Sequence, residues 1–331
     1  MIVVIDSAIP FIRGIFEPYS EVRYVEGGKI DASTIRDCDA MVVRTRTRCD
    51  ASLLAESRVK AIATATIGLD HIDEAYCRER GIMVHSASGC NARGVLQWVA
   101  AALRHICLID GRRPESYTLG VVGVGNVGSL VVEYARHWGF NVLKCDPPRL
   151  AREGGDYLPI EEVARRSDIL TLHTPLDATT RHLVDAALLY TMPREAIIVN
   201  ASRGGVVDNR ATLRSGHRYI FDVWEGEPSI PHDTLHGALL ATPHIAGYSL
   251  QGKANATAMA VRAIATDFGL PLTDWYPDGI ATTTPRLLSW EELCLTLDDY
   301  FQIEAESQCL KAYPDQFEQL RNNYNYRREY F

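Results

Sequence analysis

The amino-acid sequence predicts an α/β fold in which parallel sheets are covered by helices on both faces. The chain has 331 residues, 47% of them hydrophobic and 23% charged, which is enough apolar material for two domains and a smaller third. Short apolar, β-branched runs bounded by turn residues alternate with helical patterns through the first 245 residues. Since parallel strands need crossovers that bury both faces of a sheet, this alternation favours a doubly wound architecture.

Seven runs of apolar residues predict strands. In chain order they are Ile2–Ile5, Ala40–Val43, Ala61–Thr64, Leu119–Gly123, Asn141–Cys145, Ile169–Leu172 and Ala196–Asn200. Between the third and fourth runs, residues 91–110 place Val95, Val99, Leu103 and Ile106 on one helical face, so a long helix is expected to join two domains.

The remaining elements predict how the domains are divided. An alanine-rich helical pattern at 251–268 is expected to return the chain to the first domain. Beyond Pro271 prolines become frequent, and helical patterns recur near 289–301 and 315–327. We therefore expect one domain at 1–92 plus about 249–270, a second at 93–248, and a small separate module at 271–331.

Composition and charge restrict the environment of the protein. The net charge of −8 disfavours a nucleic-acid partner, because phosphates would be repelled. The eight cysteines include no C-x-x-C pair and are expected to be reduced thiols. The first apolar run ends at Asp6 without the features of a signal peptide, and no segment is apolar enough to predict a membrane span. A cytoplasmic protein with no membrane partner is expected.

A glycine pattern predicts a dinucleotide-binding turn. Residues 119–128 read LGVVGVGNVG, which places G-x-G-x-x-G directly after a predicted strand and before a helical pattern. The turn residues expected to approach the pyrophosphate are Gly123, Gly125, Asn126, Val127 and Gly128. Asp146 follows the next strand, where a carboxylate accepts from both ribose hydroxyls and disfavours the extra phosphate of NADP. NAD is the expected cofactor of a Rossmann domain, Arg149 is expected to face solvent, and a ligand-free glycine turn is the alternative.

Three later segments end strand-like runs with residues capable of catalysis. NASRGGVVD presents Arg203, DVWEGEP presents Asp222 and Glu227, and PHIAGY presents His244. Ligands of open parallel sheets bind at the carboxyl ends of the strands, so these side chains are expected to converge beside the cofactor. The set suits oxidation of a 2-hydroxy acid: His244 takes the hydroxyl proton, Glu227 orients the imidazole, and Arg203 holds the carboxylate. The HDTLH segment at 232–236 has an i, i+4 histidine pair, but its proline-flanked context predicts no metal site.

These segments, together with GVGNVG and LHTPL (172–176), resemble the D-2-hydroxyacid dehydrogenases over about residues 1–270. Further segments resemble one branch of that family, the erythronate-4-phosphate dehydrogenases. These segments are TATIGLDHID, SASGCNA, CDPPR, HIAGYSLQGKA and the tail QFEQLRNNYNYRREY. The resemblance implies a small phosphorylated hydroxy acid, 4-phospho-D-erythronate, as substrate. It also implies a flavodoxin-like substrate-binding domain at 1–92 plus 249–270, an inserted NAD-binding domain at 93–248, and an α+β module at 271–331 that forms a homodimer.

The resemblance also assigns site residues. It makes Arg203, Glu227 and His244 catalytic, gives NAD contacts to Asp146, Thr174, Asp222 and Gly247, and places Thr45, Thr66 and Tyr248 against substrate. A turn-capping role is the alternative for Asp222. Arg44, Arg46 and Arg48 recur at period two around Thr45 and could offer charge to a phosphate, with a solvated strand end as the alternative. Arg327 and Arg328 of the tail are further candidate donors.

The sequence departs from the family pattern in three places. Only thirteen residues separate Asp208 from Asp222, so the crossover between two strands is expected to be short. Gln97 stands where the family has an acidic residue on the long helix, and the tail stops at Phe331, short of the family's final strand and helix. Two alternatives stay open: the same chemistry on phosphoglycerate or a small hydroxy acid, and a non-catalytic NAD(H)-sensing protein on the same scaffold.

Overall fold

The structure, a computed structural model, describes residues 1–331 and divides into two compact units. The first unit comprises Met1–Asn91 and Leu250–Thr282, and the second comprises Ala92–Ser249 and Thr283–Phe331. The segment expected as a separate module, 271–331, is thus shared between the two units; its role in dimerisation stays a prediction.

The first unit begins with a five-stranded parallel sheet in the order β2-β1-β3-β4-β5. Its strands are β1 (Ile2–Asp6), β2 (Glu21–Val25), β3 (Ala40–Val43), β4 (Ala61–Thr64) and β5 (Met83–Ser86). Its first helices are α1 (Ala32–Ile35), α2 (Ala51–Leu54) and α3 (Glu74–Glu79). The two edge strands, β2 and β5, were not among the predicted runs.

The second unit is built on a six-stranded parallel sheet in the order β11-β10-β9-β8-β6-β7. Its strands are β6 (Thr118–Val122), β7 (Asn141–Cys145), β8 (Ile169–Leu172), β9 (Ile197–Asn200), β10 (Arg218–Phe221) and β11 (Leu240–Ala241). The helices of this unit before the end of β11 are α4 (Ala92–Asp110), α5 (Asn126–His137), α6 (Pro147–Glu153), α7 (Ile160–Arg166), α8 (Ala186–Thr191), α9 (Asn209–Ser215) and α10 (His232–Gly237). The predicted doubly wound α/β fold is confirmed.

The long helices and the short crossover form as the sequence predicts. The predicted apolar face of α4 is buried, with Val99, Leu103 and Ile106 fully inaccessible. The second long helix, α11 (Leu250–Phe268), belongs to the first unit and packs Val261 and Ile264 against β1, β3 and β4 of its sheet. The crossover after Asp208 is reduced to the seven residues of α9, which ends at Gly216 in a left-handed conformation.

The tail is part of the core of the second unit. Its helices are α12 (Trp290–Thr296), α13 (Ile303–Ala312) and α14 (Phe317–Asn322), of which α13 was not predicted. Leu288, Leu293, Leu297 and Phe301 are buried in the same cluster as the apolar face of α4. Removing residues 283–331 would therefore expose the core of this unit.

All eight cysteines are free, and six of them are buried, which agrees with the predicted reduced state. None of the helices combines the length and the apolar character needed to cross a bilayer.

Candidate active site

The glycine turn connects β6 to α5 and has the geometry that a dinucleotide requires. A Cβ on Gly128 would lie 1.9 Å from the carbonyl oxygen of Gly123, so only glycine fits where the helix crosses the strand. Gly125 has no heavy atom within 4 Å of its Cβ position, which leaves that face of the turn open. A cavity of about 470 Å³ adjoins the turn, lined by Gly125, Asn126 and Ser129 among others.

Asp146 is fixed beside the turn by two backbone donors. Its Oδ2 accepts from the Val124 amide at 2.7 Å, and its Oδ1 accepts from the Arg149 amide at 2.9 Å at the start of α6. Each carboxylate oxygen keeps a second lone pair for a ribose hydroxyl. The Arg149 side chain is 29% exposed, but its guanidinium is also hydrogen-bonded. Its Nη1 donates to the Val124 carbonyl at 2.7 Å and to Ser129 Oγ at 3.2 Å, and its Nε and Nη2 pair with Glu153.

Thr174 supplies an unused polar group after β8. Its Oγ1 is buried and has no hydrogen-bond partner within the chain. A buried hydroxyl without a partner is costly, and a bound ligand can remove that cost. This orphaned hydroxyl, the open Gly125 and the position of Asp146 fit NAD.

The catalytic candidates lie after neighbouring strands. Arg203 follows β9, where the buried Asn200 amide donates to the Arg203 carbonyl at 3.0 Å and fixes the turn. A Cβ on the next residue, Gly204, would lie 2.1 Å from the Trp224 carbonyl oxygen, so glycine is required there. This close approach brings the Arg203 turn against the segment that carries Glu227.

Glu227 and His244 form the expected pair. The Nδ1 of His244 lies 2.6 Å from Glu227 Oε1, and Glu227 Oε2 accepts from the Trp224 amide at 3.3 Å. Burial raises the pKa of Glu227, but the hydrogen bond and charge of His244, with the charge of Arg321, outweigh burial and hold that pKa below its usual value. The carboxylate is therefore ionised and accepts the Nδ1 proton, which leaves His244 Nε2 as a nitrogen that could accept a proton.

The loop that carries His244 is held in an unusual conformation. His244 has φ +58°, a left-handed value that few residues other than glycine adopt. The carboxylate of Asp222 accepts from Thr242 Oγ1 at 2.6 Å and from the amides of Ile245 and Ala246 at 2.8 Å each. Burial raises the pKa of Asp222, which is only 1% exposed. These contacts correspond to the capping alternative for Asp222; its contact with NAD stays a prediction.

On its other side the same loop is bound by the tail. The buried guanidinium of Arg327 donates to the carbonyls of Ile245 at 3.0 Å, Tyr248 at 3.3 Å and Gly94 at 2.8 Å, and also to that of Ala246. Together, Asp222 and Arg327 satisfy the amides and the carbonyls of the loop around Gly247. Sequence reasoning missed this role, since a tail arginine carries no signal for a backbone partner about 80 residues away.

The remaining predicted substrate residues lie in the first unit or on the same loop. Thr45 is exposed after β3, and Thr66 Oγ1 lies 2.7 Å from Thr64 Oγ1 after β4. Arg44 donates its Nε at 2.8 Å to the fully buried Asp6, so its guanidinium is engaged within its own unit. Tyr248 Oη accepts from Arg321 Nε at 3.1 Å. Their contacts with substrate stay predictions.

Comparison with known proteins identifies close relatives. The family model for the NAD binding domain of the D-isomer specific 2-hydroxyacid dehydrogenases matches residues 97–246. The erythronate-4-phosphate dehydrogenase of Bacteroides fragilis is 42% identical, with 99% of this chain and 97% of that protein covered. The enzyme of the same name from Ectopseudomonas mendocina is 44% identical over 82% of this chain and 73% of its own length. Among solved structures, the NAD⁺-bound 3-phosphoglycerate dehydrogenase of Entamoeba histolytica matches with a TM-score of 0.66 at 26% identity, covering 81% of this chain and 95% of its own.

Proposed function

The chain belongs to the erythronate-4-phosphate dehydrogenases, a branch of the D-2-hydroxyacid dehydrogenases, and we propose that it oxidises 4-phospho-D-erythronate to 2-oxo-3-hydroxy-4-phosphobutanoate in pyridoxine biosynthesis. It is an NAD-dependent oxidoreductase. The observation that carries the proposal is the 2.6 Å contact between His244 and Glu227 at the strand ends of a NAD-binding unit. This pair is the acid–base device that oxidation of a hydroxyl group needs.

Residues of the chain that fit NAD are Gly123, Gly125, Gly128, Asp146 and Thr174. When bound, NAD supplies the acceptor for the hydride that leaves carbon 2 of the substrate. His244 Nε2 takes the hydroxyl proton as the carbon–oxygen double bond forms, so the proton remains on the imidazole until it is released to solvent. The ionised Glu227 stabilises the resulting imidazolium.

Arg203 is proposed to bind the substrate carboxylate. A guanidinium presents parallel donors that match a carboxylate and fix the orientation of the neighbouring carbon. Its Nη1 donates to the adjacent Ser202 carbonyl at 2.9 Å, which restrains the side chain near the end of β9. We expect this restraint to keep the reacting carbon in line with His244.

A substrate panel tests the proposed function. Purified protein is mixed with NAD and 4-phospho-D-erythronate, D-erythronate, 3-phosphoglycerate or D-lactate, and the reduced cofactor is followed by absorbance. We expect the highest kcat/KM with 4-phospho-D-erythronate. His244→Asn is expected to lower kcat by about 10²–10⁴-fold with little change in NAD affinity. A higher kcat/KM for another acid would replace the proposed substrate, and NAD binding without turnover of any acid would favour the NAD(H)-sensing alternative.

We also propose that the protein is a cytoplasmic homodimer. The family resemblance of the tail supports this proposal, as do large exposed apolar side chains on the second unit, such as Leu108 at 60% and Leu295 at 82% exposure. Analytical sedimentation of the full chain over a range of concentrations tests it, and a monomer at every concentration would exclude the dimer.

A further inference from the structure

The proposed substrate carries a phosphate, and most of the arginines predicted to bind it are already engaged. Arg44 pairs with buried Asp6, Arg48 Nε lies 2.8 Å from Asp50 Oδ2, and Arg327 is buried against backbone carbonyls. The charges of Arg44 and Arg48 are therefore balanced by carboxylates, and the donors of Arg327 are used by the chain itself, so each attracts a phosphate less than an unpaired guanidinium does.

Arg321, which the sequence did not single out, differs from these arginines. It lies on α14, is half-buried, and uses its Nε to donate to Tyr248 Oη at 3.1 Å. Its Nη1 and Nη2 make no hydrogen bond within the chain, and no carboxylate lies within ion-pair distance of it. A half-buried guanidinium without an anionic partner offers a binding anion both its charge and its remaining N–H donors.

The surroundings of Arg321 place it at the catalytic edge of the second unit. Tyr248 belongs to the loop that begins with His244, and the positive charge of Arg321 contributes to the lowered pKa of Glu227. The charge also interacts with Asp222. Arg321 is therefore close enough to the reacting groups to contact the far end of a small substrate whose carbon 2 lies at His244.

We propose that Arg321 and Tyr248 Oη form an anion subsite that binds the phosphate of the substrate. This inference rests on the proposed function. The substrate has two anionic ends, and Arg203 is assigned to the carboxylate beside the reacting carbon. The two free Nη groups of Arg321 match two phosphate oxygens, and the tyrosine hydroxyl donates to a third oxygen or to one of the same pair.

Steady-state kinetics of three variants test the subsite. Arg321→Met removes the charge at similar length, Arg321→Lys keeps the charge but loses the fork, and Arg165→Met is the control at an exposed arginine on α7 of the same unit. For Arg321→Met we expect kcat/KM for 4-phospho-D-erythronate to fall about 10- to 150-fold, the loss typical of a charge-assisted hydrogen bond. With unphosphorylated D-erythronate the change is expected to stay within about threefold, and Arg321→Lys to be intermediate with the phosphorylated substrate.

Each other outcome has a definite meaning. Values are compared on the pH-independent plateau, because removing a charge near Glu227 also shifts the pH profile. An equal loss with both substrates would overturn the subsite and assign Arg321 to the acid–base pair, while no loss would show that Arg321 binds neither end. If the wild-type protein does not oxidise 4-phospho-D-erythronate, the proposed function fails. Binding of inorganic phosphate to the NAD complex, measured by calorimetry, then decides the subsite: the binding should be lost in Arg321→Met and kept in Arg165→Met.

Discussion

Replacing Arg327 by methionine would test whether the tail holds the loop that carries His244 in place. The guanidinium is 6% exposed and donates to four backbone carbonyls, three of which belong to the loop of His244. Methionine preserves much of the side-chain volume but leaves all four carbonyls without this donor. At roughly 0.5–1.5 kcal/mol for each hydrogen bond, the free energy of unfolding is expected to fall by about 2–6 kcal/mol.

The assay is urea unfolding at pH 7, supported by thermal melting. For a unit of this size, each kcal/mol lowers the melting temperature by about 2–4 °C, so a fall of at least about 4 °C is expected. Because His244 sits at φ +58°, a conformation that its surroundings must maintain, kcat should also fall in the fraction that remains folded.

Arg328→Met is the matched control, since Arg328 is the exposed neighbour of Arg327. It is expected to stay within about 0.5 kcal/mol of the wild type. An Arg327→Met protein that is equally close to the wild type in stability and in kcat would refute the reasoning, because the loop would then hold its conformation without the tail.

Three further substitutions probe the site. Glu227→Gln should move the acid limb of the kcat/KM profile to lower pH, because the imidazolium loses its anionic partner. The pKa of Glu227 is lowered in the folded protein, so the stability that the carboxylate contributes should be present at pH 7 and disappear as the pH falls through that pKa. Comparing the free energies of unfolding of the wild type and the variant at pH 7 and pH 3.5 would measure this loss. Asp146→Ala should narrow the preference for NAD over NADP in paired kcat/KM measurements; equal use of both cofactors by the wild type would contradict the role of Asp146 and direct attention to Arg149. Asp222→Asn should cost about 1–3 kcal/mol in urea unfolding, because the Ala246 amide would face an NH₂ group, and an unchanged stability would exclude the capping role.

Burial separates most of the predicted strands from the two missed in the first sheet; β7, a partly exposed edge strand that the sequence did predict, is an exception. The predicted strands β3, β4, β8 and β9 are buried at every position, so they read as continuous apolar runs. The edge strands β2 and β5 are partly exposed and mix charged or polar residues with apolar ones, so they carry no such run. Helix α13 was missed for a similar reason: its sequence, IEAESQCLKA, buries only three side chains and so shows no clear apolar periodicity.

The sequence alone determined the α/β class, the dinucleotide turn and the Glu227–His244 pair, because each depends on residue types at short spacing or at the ends of recognisable strands. Only the tertiary structure decided which charged side chains are already occupied. Four arginines that the sequence does not distinguish have different partners: Arg44 pairs with a buried aspartate, Arg149 contacts the glycine turn, Arg321 lies beside Tyr248 of the His244 loop, and Arg327 binds the carbonyls of that loop. The physical reason is that the partner of a long cationic side chain is set by packing between segments far apart in the chain, and local sequence patterns contain no record of that packing.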